Sequence, residues 1–69
     1  MNEIIFLVEH DVEEGYVAQA LGVSIITQAD DLDRLKIEVR DAVHCHFPNE
    51  ELRPKIIRLH IVTEEVIAS

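Results

Sequence analysis

The sequence predicts an α+β domain with the element order β-β-β-α-β, in which an antiparallel meander is followed by one helix and a fourth strand. Two observations carry this prediction. Before residue 30, short apolar runs rich in branched side chains alternate with glycine-containing turns, which is typical of hairpins. One stretch with helical spacing of apolar residues and one further apolar run then follow. We expect residues 1–69 to form a single domain.

The first apolar run, Ile4 to Val8, predicts a strand that is covered on both sides. Alternate residues of a strand point to opposite faces, and here both sets are apolar: Ile4, Phe6 and Val8 on one face, Ile5 and Leu7 on the other. That pattern is typical of a central strand. We therefore expect this strand in the middle of the sheet.

The next two strands are predicted at Tyr16–Leu21 and Val23–Gln28. A turn over residues 10–15 precedes the second strand and ends in Gly15, because glycine accepts a positive φ. Gly22 marks the tight turn before the third strand. The close spacing of the three runs predicts the antiparallel meander.

The helix has the clearest signal in the sequence. Asp30 and Asp31 are both candidates for its N-cap, and Asp33 adds negative charge to the first turn, where the helix dipole favours it. Ile37 lies outside the predicted core stripe, so it is either exposed or part of a contact. The helix should end near Phe47, because the residue before a proline disfavours helical geometry. The core stripe consists of Leu32, Leu35, Val39, Ala42, Val43 and His46.

Residues Lys55–Val62 predict the fourth strand, with Ile57, Leu59 and Ile61 on one face and Ile56, Arg58, His60 and Val62 on the other. A single helix covers only one face of a sheet. The uncovered face would therefore expose a set of aliphatic side chains: Ile5, Leu7, Ile26, Ile56 and Val62. Such a patch is typical of a surface that binds a partner. Thr63–Ser69 form a tail with no assigned structure.

Size and charge restrict the function classes. A chain of 69 residues is too short for an enzyme that encloses its substrate and has its own cofactor domain. The 14 acidic residues against 6 Lys and Arg argue against direct nucleic-acid binding and favour a basic partner. Arg53, Lys55 and Arg58 are expected to form a small patch, with too few charges for the ~6–10 phosphate contacts typical of DNA-binding proteins.

The lone cysteine and the N-terminal residues bear on the compartment. Cys45 has no partner for an intramolecular disulfide or for a zinc site built on paired cysteines, and a single thiol fits a reducing compartment. The N-terminal apolar run of five residues is too short for a signal peptide or a membrane span. We therefore expect a cytoplasmic protein with no membrane association.

The histidines and carboxylates predict no catalytic or metal site. His44 and His46 are two residues apart on the helix, hence about 200° apart, and cannot chelate one ion together. His46 is expected to be a partly buried core residue. His10 and His60 would approach one another if the first and fourth strands are neighbours, in a structural role. We expect no enzyme, no catalytic residue, no cofactor and no metal; a metal-dependent hydrolase is the least favoured reading.

Three sequence segments resemble the HicB-like antitoxin domain. They are Glu13-Glu14-Gly15-Tyr16-Val17, Thr27-Gln28-Ala29-Asp30-Asp31-Leu32, and the helix start Asp33-Arg34-Leu35-Lys36-Ile37-Glu38-Val39. In that family the first hairpin carries Gly-Tyr/Phe-Val, and Thr-x-(Gly/Ala)-Asp-(Ser/Thr) leads into the helix. The match covers about residues 4–47. The resemblance implies a partial RNase H-like sheet of order 3-2-1-4, a homodimer, and neutralisation of a small, basic, mRNA-cleaving HicA toxin.

The sequence departs from the longer HicB-like proteins, which usually carry a C-terminal DNA-binding module. It resembles a short stand-alone subgroup, so no direct nucleic-acid contact is expected. Charge complementarity makes the acidic turn and helix start candidates for toxin contact: Asp11, Glu13, Glu14, Asp30, Asp31 and Asp33. The open fourth strand supplies candidates for a dimer surface: Ile56, Arg58, His60 and Val62. The alternative function is a structural or regulatory oligomerisation module with no toxin partner.

Overall fold

The computed structural model describes residues 2–63 and 66–69 and contains a four-stranded mixed sheet with one helix against one face. The α+β class and the order β-β-β-α-β are both as the sequence predicted. No helix of the described residues is long and apolar enough to cross a membrane. The elements are β1 (Glu3–Asp11), β2 (Gly15–Ala20), β3 (Ile26–Ala29), α1 (Leu32–His46) and β4 (Ile56–Val62).

The strands lie in the order β3-β2-β1-β4, so β1 is central, as its two-sided apolar pattern predicted. The first three strands form the antiparallel meander, and β4 lies parallel to β1. Phe6 illustrates the register, since it pairs with Ala20 on β2 and with Leu59 on β4. The edges of the sheet are therefore β3 and β4.

The core lies between α1 and the face of the sheet that carries Phe6. Phe6 and Val8 on β1 and Leu35 and Val43 on α1 have no exposed surface. No polar or charged side chain is buried among the described residues, so burial of apolar surface stabilises this core without an internal polar network. The buried set is Ile4, Phe6, Val8, Ala18, Ala20, Ile25, Leu35, Val39 and Val43.

The structure shows which of the two candidate residues caps the N-terminus of α1 and where the helix ends. Asp31 is the N-cap, and its side chain accepts a hydrogen bond of 2.7 Å from the Arg34 backbone N–H. Asp30 therefore does not cap the helix. Phe47 is the C-cap, and its N–H donates to the Val43 carbonyl at 2.9 Å. The helix thus ends where the following proline predicted.

Two expectations for the helix surface have different outcomes. Ile37 is half exposed, which selects the first of its two alternatives. The prediction that His46 is partly buried in the core is wrong, because His46 is exposed. The neighbouring Phe47 packs against the core instead, and the two rings lie 4.8 Å apart in an edge arrangement. The larger apolar ring therefore fills the end of the core that the stripe assigned to histidine.

Most strand ends lie within one residue of the predicted ones, but the end of β1 and the start of β3 differ by three residues each. β1 continues beyond Val8 to Asp11, because its pairing with β2 extends to the partners Asp11 and Gly15. β3 begins at Ile26 rather than at Val23, because a bend that contains Gly22 occupies the preceding residues. The sheet therefore extends furthest at the β1–β2 turn, which carries several acidic residues.

Candidate functional site

Two acidic segments that are distant in the sequence meet at one end of the sheet. One is the β1–β2 turn, and the other is the junction between β3 and α1. They are brought together because Tyr16 on β2 pairs with His10 on one side and with Ala29 on the other. We call this region the acidic end; it carries the six predicted toxin-contact residues, Asp11, Glu13, Glu14, Asp30, Asp31 and Asp33.

Gly15 is the residue that allows the two segments to approach so closely. Its φ is +81°, a conformation that residues with a Cβ atom rarely adopt. A Cβ at this position would lie 2.5 Å from the Ala29 carbonyl oxygen and 3.1 Å from the Asp30 Cα. Any side chain would therefore push the β1–β2 turn away from the start of α1.

Two of the six carboxylates at the acidic end also hold the local backbone. The Asp11 carboxylate accepts hydrogen bonds from the Glu13 N–H at 2.7 Å and from the Glu14 N–H at 3.2 Å, which fixes the turn. Asp31 caps α1, as described above. The negative charges of both residues still contribute to the potential of the acidic end, but their replacement would also disturb the backbone.

The other four carboxylates of the acidic end are exposed and are not part of such backbone contacts. They belong to Glu13, Glu14, Asp30 and Asp33. Asp33 lies 3.9 Å from the Lys36 ammonium group, and its side chain is 95% exposed, so this ion pair is weak. A cluster of like charges at one end of a small domain raises the local concentration of cationic partners. The acidic end can therefore bind a basic surface by charge complementarity.

The sheet face opposite α1 is the second candidate surface, and we call it the open face. It exposes the aliphatic side chains that the sequence predicted there. Ile26 is 68% exposed and Ile56 is 47% exposed, while Leu7 is partly buried between its strand neighbours. Exposed aliphatic side chains on one face of a small sheet are typical of an interaction surface. The complete set is Ile5, Leu7, Ile26, Ile56 and Val62.

The predicted dimer-surface residues all lie on the open face of β4. Ile56, Arg58, His60 and Val62 alternate along the strand and are the register partners of Glu3, Ile5, Leu7 and Glu9. Arg58 forms an ion pair with Glu3 across the two strands. The aliphatic members of the set are therefore the ones that favour burial against a partner, since the Arg58 charge is already paired.

The structure contradicts the expected approach of His10 and His60. β1 and β4 are indeed neighbours, but His60 pairs with Leu7, three residues before His10. Side chains an odd number of positions apart lie on opposite faces of a strand, so the two imidazoles are on opposite sides of the sheet. His10 packs against the Tyr16 ring with centroids 4.6 Å apart.

The expected basic patch at Arg53, Lys55 and Arg58 also does not form. Arg58 lies on the open face, whereas Arg53 and Lys55 line a groove on the other side of the sheet. The described residues contain no cluster of three or more His, Cys, Asp or Glu side chains placed to hold a metal ion. Cys45 is an exposed thiol.

Comparison with known proteins identifies the family. A UPF0150 protein of Archaeoglobus fulgidus is 57% identical over 56 residues, which span 81% of this chain and 82% of that protein. A UPF0150 protein of Thermotoga maritima is 35% identical over 67 residues, which span 97% of this chain and 93% of that protein. The chain belongs to the UPF0150 family. No family model matches the sequence, and no solved structure matches it significantly.

The sequence did not predict one surface of this UPF0150 protein, a groove lined by basic residues. Lys36, Arg40 and His44 follow one another at steps of four residues, so they lie along one side of α1. They line the same groove as Arg53 and Lys55. The four-residue spacing was visible in the sequence, but the loop cations could be joined to it only once the path from α1 to β4 was known.

Proposed function

We propose that this protein is a HicB-like antitoxin that neutralises a small, basic, HicA-like mRNA-cleaving toxin. One observation carries the proposal. Six carboxylates from two separate segments converge at the acidic end, and the absence of a side chain at Gly15 allows those segments to lie close together. A ribonuclease needs positive charge to bind RNA, so a partner that presents clustered carboxylates can compete for the same surface.

The strand order of the sheet supports the proposal. The resemblance to HicB-like domains implies the strand order 3-2-1-4 with one helix, and the sheet has that order. We therefore propose that the sheet is of the partial RNase H-like type. The function is one of binding only, with no catalytic step, and it takes place in the cytoplasm, where the toxin meets mRNA.

The proposal is tested by co-expression with a small basic protein encoded by a neighbouring gene. We expect growth arrest when that neighbour is expressed alone, rescue when both proteins are present, and co-purification of the two. Purified complex should also protect a reporter mRNA from cleavage. Absence of both rescue and co-purification would contradict the antitoxin proposal.

We further propose that the protein is a homodimer that buries the β4 part of the open face. Ile56 and Val62 are 47% and 37% exposed on an edge strand, so burial of their remaining surface contributes about half of the roughly 1.5–3 kcal/mol expected for full burial of such a side chain. A small domain gains the buried area that it lacks on its own by such association. Symmetry places each residue in the interface twice.

Replacement of both aliphatic residues, Ile56→Lys with Val62→Lys, should dissociate the dimer. We expect the dimer Kd to rise at least about 100-fold, because four buried aliphatic side chains would become charged groups. Sedimentation velocity over a concentration series measures this change. Ile37→Lys is the matched control, since Ile37 is also half exposed but lies on α1. A wild-type protein that stays monomeric throughout the series would contradict the dimer.

The alternative function is an oligomerisation module without a toxin partner, and the aliphatic open face is the observation that favours it. The two functions predict different effects of the same variants. In an oligomerisation module, charge changes at the acidic end leave every phenotype unchanged, whereas open-face changes remove function. An orphan gene with no small basic neighbour would also favour this alternative.

A further inference from the structure

A groove on the helix side of the sheet is not used by the function proposed above. α1 lies over β3 and β2, which leaves the β4 side of that face uncovered. The groove between α1 and β4 has a volume of about 720 Å³. Its aliphatic floor is formed by Ile57 and Leu59 on β4, which are partly exposed, while Val39 and Val43 on α1 lie beneath the floor and are buried.

Most of the positive charge of the protein lies around this groove, which we call the basic groove. Four of the six Lys and Arg residues line it: Lys36, Arg40, Arg53 and Lys55, together with His44. Glu50 is the one carboxylate among the described lining residues. The remaining two basic residues, Arg34 and Arg58, form ion pairs elsewhere. A protein of net charge −8 therefore concentrates its cations at one place.

The cations of the basic groove differ in their availability. Arg53 holds the loop after α1, since its guanidinium donates to the Phe47 carbonyl at 3.0 Å and to the Pro48 carbonyl at 3.3 Å. In the described part of the chain, neither Arg40 nor Lys55 has a carboxylate within 4.0 Å. Arg40 and Lys55 are therefore the cations best placed to bind a ligand.

The residues that line the basic groove indicate which kind of ligand it would bind. Carboxylates would pair with the cations at the rim, and aliphatic side chains would fill the apolar floor. A single-stranded nucleic acid would need aromatic stacking partners, but His44 is the one aromatic ring among the described lining residues. An extended acidic peptide with adjacent aliphatic residues satisfies both parts of the groove.

The chain itself contains such a peptide in residues 63–69, with the sequence Thr-Glu-Glu-Val-Ile-Ala-Ser. Val66 and Ile67 are 95% and 87% exposed, and Glu64 and Glu65 lie outside the described residues. We propose that the basic groove binds residues 63–69 of a second copy of this chain. Since successive side chains of an extended peptide point to opposite sides, Glu64 and Glu65 would pair with Arg40 and Lys55 on opposite rims, and one of Val66 and Ile67 would pack on the apolar floor.

Binding from a second copy fits the topology better than binding from the same chain. Residues 63–69 follow Val62, whereas Lys55 precedes the opposite end of β4, and the seven residues of β4 span roughly 20 Å. A return path would need a tight turn at Thr63-Glu64-Glu65, which has none of the Gly, Asn or Asp that such turns favour. It would also leave both glutamates at the end of β4 remote from Lys55.

Paramagnetic broadening between two differently labelled full-length chains tests this proposal. Both chains carry Cys45→Ser; one carries a nitroxide at Ser69→Cys, and the other carries only nitrogen-15. We expect the amide signals of Arg40 and His44 in the nitrogen-15 chain to broaden on mixing, because both lie at the groove on α1, on the opposite side of the sheet from the proposed dimer surface. This measurement does not depend on toxin neutralisation, so the failure of one proposal would not contradict the other.

Exchange of charges between the basic groove and the tail then tests which residues are in contact. Arg40→Glu in the nitrogen-15 chain should weaken the association at least about tenfold, whereas Arg34→Glu, on the same helix but outside the groove, should not change it. Glu64→Lys with Glu65→Lys in the nitroxide chain should restore binding to a chain with Arg40→Glu and Lys55→Glu. Two results would each overturn the proposal: no broadening between the chains, or failure of the tail variant Glu64→Lys with Glu65→Lys to restore binding to the chain that carries Arg40→Glu and Lys55→Glu.

Discussion

Charge reversal at the β1–β2 turn, Glu13→Lys with Glu14→Lys, should abolish the proposed toxin neutralisation while leaving the fold intact. Both side chains are exposed at the acidic end, and only their backbone N–H groups take part in the turn. The reversal replaces two attractive charges by two repulsive ones against a basic toxin. We expect the Kd of the complex to rise on the order of 100-fold, mainly through slower association.

Association kinetics at low and at physiological salt measure this effect, with growth rescue as the cellular readout. The matched control is Asp41→Lys with Glu51→Lys, which changes the net charge equally at two exposed positions outside the acidic end. Equal weakening by both double variants would show that total charge, rather than the acidic end, determines binding. Unchanged binding by both would remove the acidic end from the interface.

A side chain at Gly15, the first residue of β2, should lower the stability of the protein far more than a side chain at Gly22. Gly15→Ala combines an unfavourable positive φ, which contributes roughly 1–2 kcal/mol, with a Cβ only 2.5 Å from the Ala29 carbonyl oxygen. Because backbone rather than a flexible side chain occupies that space, the turn and the β3–α1 junction must separate. We expect a loss of at least about 3 kcal/mol in the free energy of unfolding.

Gly22→Ala is the internal control for this prediction. Gly22 has nearly the same φ, +84°, but a Cβ there would meet no atom within 4 Å. Urea denaturation of both variants therefore separates the clash from the backbone conformation, and Gly22→Ala should lose only about 1 kcal/mol. Equal losses of stability for the two variants would mean that the clash between the new Cβ and the Ala29 carbonyl oxygen has no effect on stability.

The element order could be predicted because each element has its own local signal. The two-sided apolar run of Ile4–Val8 predicted the central strand, and the caps and stripe predicted α1 from Leu32 onwards. The strand limits could not be predicted as well, because they depend on pairing with another strand. β1 reaches Asp11 only because Gly15 is there to pair with it.

The candidate site was predictable to a similar extent. The acidic residues and the open-face residues were visible in the sequence, and the strand order explains why the former converge. The errors share one cause, since each required knowledge of which face or partner a residue has in three dimensions. His10 and His60 are separated by register, His46 is displaced by Phe47, and Arg58 is separated from Lys55 by the alternation of β4.

The separation of the acidic end from the basic groove gives this small protein a permanent dipole moment in addition to its net charge of −8. Lys55 and Arg53 precede β4, whereas the six clustered carboxylates lie at the end of the sheet towards which β4 runs. A cationic partner that comes close to the protein is therefore attracted by the net charge and rotated into alignment by the dipole. Since the Debye length at physiological salt is ~8 Å, this alignment acts only over the last few solvent layers before contact.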